Sequence, residues 1–148
     1  MVSLRNFTTE DATALRAYKF RDLSTTELED MIMAWNQKQV ENRYFEMFAI
    51  WQDENLVGTV SLYGLSPEEV SIGPEIFPSY RRNGFAKEAM LQVCEIAKTK
   101  GYKRAFQQIR TDNHASIALH TSIGFFSDRT VYTNKKGNQV VYYRKNLI

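Results

Sequence analysis

Residues 81–87, Arg-Arg-Asn-Gly-Phe-Ala-Lys, set three cations around two small residues where the flanking pattern marks a helix start. The first backbone N–H groups of a helix lack intrahelical partners, and the macrodipole is positive there, so that end favours an anion. Gly84 and Ala86 are small enough to let a pyrophosphate approach the main chain, while Arg82 and Lys87 add charge at the rim. Cations at a helix start oppose the dipole until an anion arrives. The Walker pattern and Gly-x-Gly-x-x-Gly are both absent, so a nucleoside triphosphate machine is not expected. A second polar segment opens at Asp112-Asn113, and His120 follows Asn113 by seven positions. On a helix those two share a face at roughly 10.5 Å separation. Glu75 stands beside an unusual Gly73-Pro74 pair within an apolar run.

These residues need a scaffold. Val2 and Leu4 alternate with polar neighbours as a short strand. Thr8-Thr9-Glu10-Asp11 resembles a capping box and predicts a helix to about Phe20, and Ser24-Thr25-Thr26-Glu27 starts a second whose stripe runs through Leu28, Ile32, Trp35 and Gln39. Residues 44–51 and 56–63 form a hairpin across Asp53-Glu54-Asn55, and 70–77 is a further strand. Gly73-Pro74 in that strand predicts a bulge or a close backbone approach. A helix over about 84–100, a strand over 103–109, a helix from Asp112-Asn113 to Ser122, and a closing hairpin of 125–132 with 139–144 complete the chain. The order β-αα-ββ-β-α-β-α-ββ is a mixed α+β pattern of about seven strands and four helices in a single domain, 1–148.

Composition narrows the class. Nineteen Lys and Arg against seventeen Asp and Glu leave +2, too balanced for a general nucleic-acid or membrane-surface binder, so any basic site is local. The single cysteine, Cys94, excludes an intramolecular disulfide framework and a multi-cysteine zinc site; it reads as a small buried hydrophobe. With no basic leader before an apolar run and no stretch of about 18 apolar residues, the expectation is a cytoplasmic protein without a membrane anchor.

Residues 76–86, Ile-Phe-Pro-Ser-Tyr-Arg-Arg-Asn-Gly-Phe-Ala, resemble motif A of the GNAT N-acetyltransferases, whose Arg/Gln-x-x-Gly-x-Gly/Ala pattern falls on Arg81, Gly84 and Ala86. Residues 112–125, Asp-Asn-His-Ala-Ser-Ile-Ala-Leu-His-Thr-Ser-Ile-Gly-Phe, resemble the second signature of that family, and Ser-Ile-Ala-Leu-His-x-x-x-Gly-Phe resembles its phosphinothricin-type branch. Together the signatures cover about residues 70–126. The resemblance implies a GNAT-like fold, a mostly antiparallel mixed sheet with a central splayed parallel pair, 70–77 and 103–109. It further implies acetyl-CoA between those strands, pantetheine on the backbone near Glu75, Ile76 and Phe77, pyrophosphate on the amides of Arg82, Asn83, Gly84, Phe85, Ala86 and Lys87 beside Arg81, and Asn113 touching the pantetheine arm. No metal is implied.

The reaction implied is attack of a neutral amine on a thioester, with an oxyanion forming and a thiolate leaving. His120 stands where many members carry a Tyr and is open as acid, as base through water, or as a hydrogen bonder. Gln108 stands where some carry a Glu, so Glu75 is the substitute base, with deprotonation through water as the alternative. Tyr18 and Trp35, grouped with Phe20 and Tyr44 around the first two helices, are the expected acceptor contacts. Against these stand a plain N-cap at Asn113, a solvated helix residue at His120, an exposed strand carboxylate at Glu75, and a surface His114. The expected partners are acetyl-CoA and a primary amine, with a small molecule favoured and a homodimer left open. The rival readings are a protein N-terminal or lysine acetyltransferase and a non-catalytic acyl-CoA sensor.

Overall fold

A computed structural model describes residues 1–148. Nine strands and four helices follow the expected order: β1 (Ser3–Asn6), α1 (Ala12–Tyr18), α2 (Thr25–Trp35), β2 (Gln39–Val40), β3 (Arg43–Gln52), β4 (Asn55–Gly64), β5 (Glu69–Ile76), α3 (Phe85–Thr99), β6 (Arg104–Arg110), α4 (His114–Ser122), β7 (Phe126–Ser127), β8 (Tyr132–Thr133) and β9 (Gln139–Asn146). Both early caps form. Asp11 Oδ2 accepts the Thr8 N–H at 2.8 Å, and Ser24 Oγ accepts the Glu27 N–H at 3.1 Å while Glu27 Oε1 accepts the Ser24 N–H at 3.0 Å. α1 stops two residues short of the expected Phe20, because Lys19 is extended and Phe20 turns left-handed at φ 61°.

The sheet runs β1-β3-β4-β5-β6-β9-β7, with only β5 and β6 parallel. Its two faces carry separate cores. Val60, Leu62, Val70, Ile72, Ile76 and Ala105 pack under α3, whereas Ala49, Leu56 and Phe77 pack under α1 and α2. The count exceeds seven for two reasons. β2 is a two-residue addition to β3, and the strand expected over 125–132 is broken into β7 and β8. Ser127 Oγ accepts the Arg129 N–H and Asp128 Oδ1 the Thr130 N–H, both at 2.9 Å, and Arg129 takes φ 64°. Such local side-chain turns compete with a ladder.

The bulge expected at Gly73-Pro74 does not form. β4 and β5 stay in unbroken register from Gly58↔Ile76 to Gly64↔Val70, and the one irregularity lies between Ile50 and Trp51 on β3. The alternative, close approach, is what Gly73 serves: a Cβ there would lie 2.9 Å from Ser61 Oγ. Gly58 is tighter still, since its Cβ would sit 2.1 Å from the Glu75 carbonyl oxygen. Gly58→Ala is therefore expected to force β4 from β5 and cost about 2 kcal/mol, or about 4–8 °C in Tm by calorimetry. An unchanged Tm would show that the pair has slack.

Candidate active site

β5 and β6 pair at only three positions, Glu69↔Arg104, Val70↔Ala105 and Ser71↔Phe106, and then separate. Each remains bonded to its outer neighbour, β5 to β4 as far as Ile76 and β6 to β9 as far as Arg110. The result is a fork in mid-sheet. Gln107 bridges its base, donating Nε2–H to the Ile72 carbonyl at 2.6 Å. Alternation fixes which backbone groups face the gap. Phe77 N–H donates to Val57 O at 2.9 Å, so Glu75 and Gly73 also point toward β4, while Ile72, Pro74 and Ile76 point into the fork. Pro74 thus occupies a position where no ladder partner waits for an N–H, a kind of sheet position that tolerates proline. The backbone N–H offered to an extended ligand is that of Ile76; the Glu75 N–H is committed to β4.

The chain leaves the fork through a short turn at Pro78–Tyr80 into the start of α3. Arg81 Nε donates to the Ile76 carbonyl at 3.0 Å, and Asn83 Nδ2 donates to the carbonyls of Tyr80 at 3.0 Å and Arg81 at 3.2 Å. Arg82 and Gly84 are both left-handed, at φ 66° and 76°. α2 and α4 carry side-chain caps from Ser24 and Asn113, whereas α3 has none. The N–H groups of Phe85, Ala86 and Lys87 have no protein acceptor, and Arg82 and Lys87 flank them. An anion fits this arrangement: three donors, a positive dipole end and two cations converge on one loop.

The fork, this loop and the start of α4 enclose a groove of about 680 Å³. Of the residues expected at a cofactor, Glu75, Ile76, Arg81, Arg82, Gly84, Phe85, Ala86, Lys87 and Asn113 line it. Phe77 and Asn83 do not. Phe77 turns to the α1–α2 core and stacks on Tyr18 with ring centroids 4.8 Å apart, and the Asn83 amide ties its own loop. Asn113 caps α4 through Oδ1, 3.1 Å from Ser116 N, and lines the groove as well. Sequence reasoning missed Tyr80, Ser116 and Leu119, which also line the groove. Ser116 follows Asn113 by three positions and Leu119 follows Ser116 by three, each a neighbour of the last along the helix, and that spacing is the available signal.

His120 is not brought to the groove. It is 1% exposed, packed edge-on to Phe125 at 4.9 Å, with Nδ1 2.7 Å from the Ser116 carbonyl and Nε2 buried without a partner. Its link to the groove is indirect, through Ser116 Oγ at 3.3 Å from Nδ1. Burial pushes its pKa below the usual value, against the opposing hydrogen bond to Ser116. The unfolded chain therefore takes up a proton near pH 6.5 that the folded chain refuses. The resulting stabilisation is present above about pH 6.5 and is lost as pH falls toward the folded pKa. Tm should fall as pH drops below about 6.5, and His120→Leu should flatten that slope; an equal slope in the variant would assign it elsewhere.

Trp35 is likewise absent from the groove, its ring 5.5 Å from Phe7 in the α1–α2 core. Tyr44 belongs to the opposite end of the sheet, against Tyr102 and Glu46. Tyr18 is close by: its hydroxyl lies 3.0 Å from that of Tyr80. Glu75 projects to the α1–α2 face, where Lys19 Nζ pairs with its Oε1. Gln108 is exposed and donates to Tyr142 Oη at 3.2 Å. His114 is exposed, and burial raises the pKa of the Cys94 thiol, as suits a packing residue.

Residues 2–126 match the family model of the acetyltransferase (GNAT) domain. The chain belongs to the GNAT family. Among curated relatives it is similar to two Bacillus subtilis (strain 168) proteins. It is 29% identical to the SPbeta prophage-derived uncharacterized N-acetyltransferase YokL over 97 residues, 64% of this chain and 55% of that protein. It is 35% identical to the uncharacterized N-acetyltransferase YoaA over 75 residues, 49% of this chain and 42% of that protein. The chain thus spans about half the length of the curated relatives it matches. The GNAT fold is also that of RimL, a ribosomal L7/L12 alpha-N-protein acetyltransferase solved in complex with coenzyme A, with TM-score 0.84, 16% identity, and 98% and 93% of the two chains covered. No group of side chains that could hold a metal ion occurs, and no helix is long and apolar enough to cross a membrane.

Proposed function

We propose that this GNAT chain, as one domain over residues 1–148, transfers the acetyl group of acetyl-CoA to a primary amine by direct attack within a ternary complex. The observation that carries the reading is the uncapped start of α3, whose three free N–H groups open onto the end of the fork. Ile76 N–H and the fork edge orient an extended amide-bearing arm, Arg82, Lys87 and the α3 amides hold its diphosphate, and Asn113 meets the arm from α4. Glu75 takes the proton of the incoming amine on the α1–α2 face. Once bound, acetyl-CoA supplies an activated acyl group, so no acyl-enzyme is required.

The favoured acceptor is a small-molecule amine. Two features favour it: the Glu75 carboxylate is partly covered by its ion pair with Lys19, and the sequence of residues 116–125 resembles that of phosphinothricin-type members. The test is thiol release from acetyl-CoA over a panel of small amines and peptides. Release with small amines is expected. Release with peptides alone would move the acceptor to the protein class, and coenzyme A binding without release on any amine would favour a sensor.

A further inference from the structure

Lys19 presents an amine to the carboxylate that the proposed function makes the base. Its Nζ pairs with Glu75 Oε1, and Glu75 is the one carboxylate that lines the groove. The loop between α1 and α2 is held in that pose from several sides. Tyr18 stacks on Phe77 and shares a hydrogen bond with Tyr80, Lys19 is extended, and Phe20 takes φ 61°, a left-handed conformation that an aromatic residue adopts only where its surroundings impose it. The Phe20 ring centroid lies 5.2 Å from Nζ, so the amine sits between a carboxylate and an aromatic ring. It is only about one-third exposed.

We propose that Lys19 is itself a modification site, acetylated within the same molecule by acetyl-CoA held in the groove. The inference rests on the reading of the groove as the acetyl-CoA site. In the step, the Lys19 ammonium first passes a proton to Glu75, then the neutral Nζ attacks the thioester carbonyl, the N–C bond forms and the C–S bond breaks. The second amine proton goes to the departing thiolate, coenzyme A leaves with the electron pair as a thiol, and Glu75 returns its proton to solvent. The product amide carries no charge, so the ion pair with Glu75 ends.

A built-in comparison exists at the other end of the sheet, where Lys103 Nζ pairs with Glu68 Oε1 at 3.2 Å, away from the groove. Purified protein incubated with acetyl-CoA alone, then digested and mapped by mass spectrometry over time, reads both lysines at once. Lys19 is expected to gain an acetyl group roughly tenfold or more faster than Lys103, because it is positioned and Lys103 is not. The rate should be independent of protein concentration and should fall in Glu75→Gln. Lys19→Arg, which keeps a cation for Glu75, should remove the mass gain from that peptide. A coenzyme A thermal shift on each sample separates the failures. Equal labelling of Lys19 and Lys103 in a protein that coenzyme A stabilises overturns the proposal and leaves the groove reading intact. Absence of any coenzyme A shift overturns both.

Discussion

Gly84→Glu is expected to abolish the rise in Tm that coenzyme A produces, while the protein stays folded. A Cβ at Gly84 meets no atom within 4 Å, so the new side chain has room. The backbone there is left-handed at φ 76°, and an L residue in that region costs about 1 kcal/mol, a loss of about 2–4 °C in a domain of this size. Gly84→Ala carries the same backbone cost without charge and is the control. The glutamate places an anion against the bare N–H groups of Phe85, Ala86 and Lys87, which it would satisfy in place of a diphosphate. Coenzyme A at a hundred times its dissociation constant stabilises the wild type by about 2.7 kcal/mol. Differential scanning fluorimetry should show that shift retained in large part in Gly84→Ala and gone in Gly84→Glu. A full shift in the glutamate variant would remove the α3 start from the cofactor site.

Glu75→Gln should lower turnover by about a hundredfold, the low end of what a positioned general base contributes, and leave the coenzyme A shift nearly intact. The separation follows from the register: the Glu75 backbone faces β4, so the ligand-facing edge at Ile76 is untouched by a change of side chain. Glutamine keeps the shape but cannot take a proton, and it also releases Lys19 from its ion pair. Thiol-release kinetics with the best amine of the panel give the readout. Equal turnover in the variant would leave deprotonation to water alone.

Features set by near neighbours in the chain are mostly legible, the break of residues 125–132 at the Ser127 and Asp128 turns being the exception. The caps at Thr8 and Ser24, the hairpin turn at Asp53-Glu54-Asn55 and the stop at Gly101 all depend on residues within a few positions of one another. The groove was legible for the same reason, since Arg81 to Lys87 form a single loop. Side-chain directions that the sequence does not carry depend on distant partners. His120 looked like a groove residue because helical spacing aligns it with Asn113, but its ring turns inward to Phe125, brought under α4 by the turn at Gly124. Trp35 and Tyr44 are near in sequence, yet they end on opposite faces of the sheet. Gly73-Pro74 signalled irregularity, and the irregularity proved to be the missing neighbour across the fork rather than a bulge within the ladder.

The fork also divides the molecule mechanically. β4 and β5 are matched at seven positions and β6 and β9 at seven, but the two half-sheets meet through three, with the Gln107 amide as an extra rivet. Free energy for local opening follows the density of such cross-links, so the seam is the place where residues 104–146 can breathe against the rest without either half melting. A ligand bonded to both lips of that seam would act as a removable rung, coupling the stiffness of the whole sheet to whether the groove is loaded.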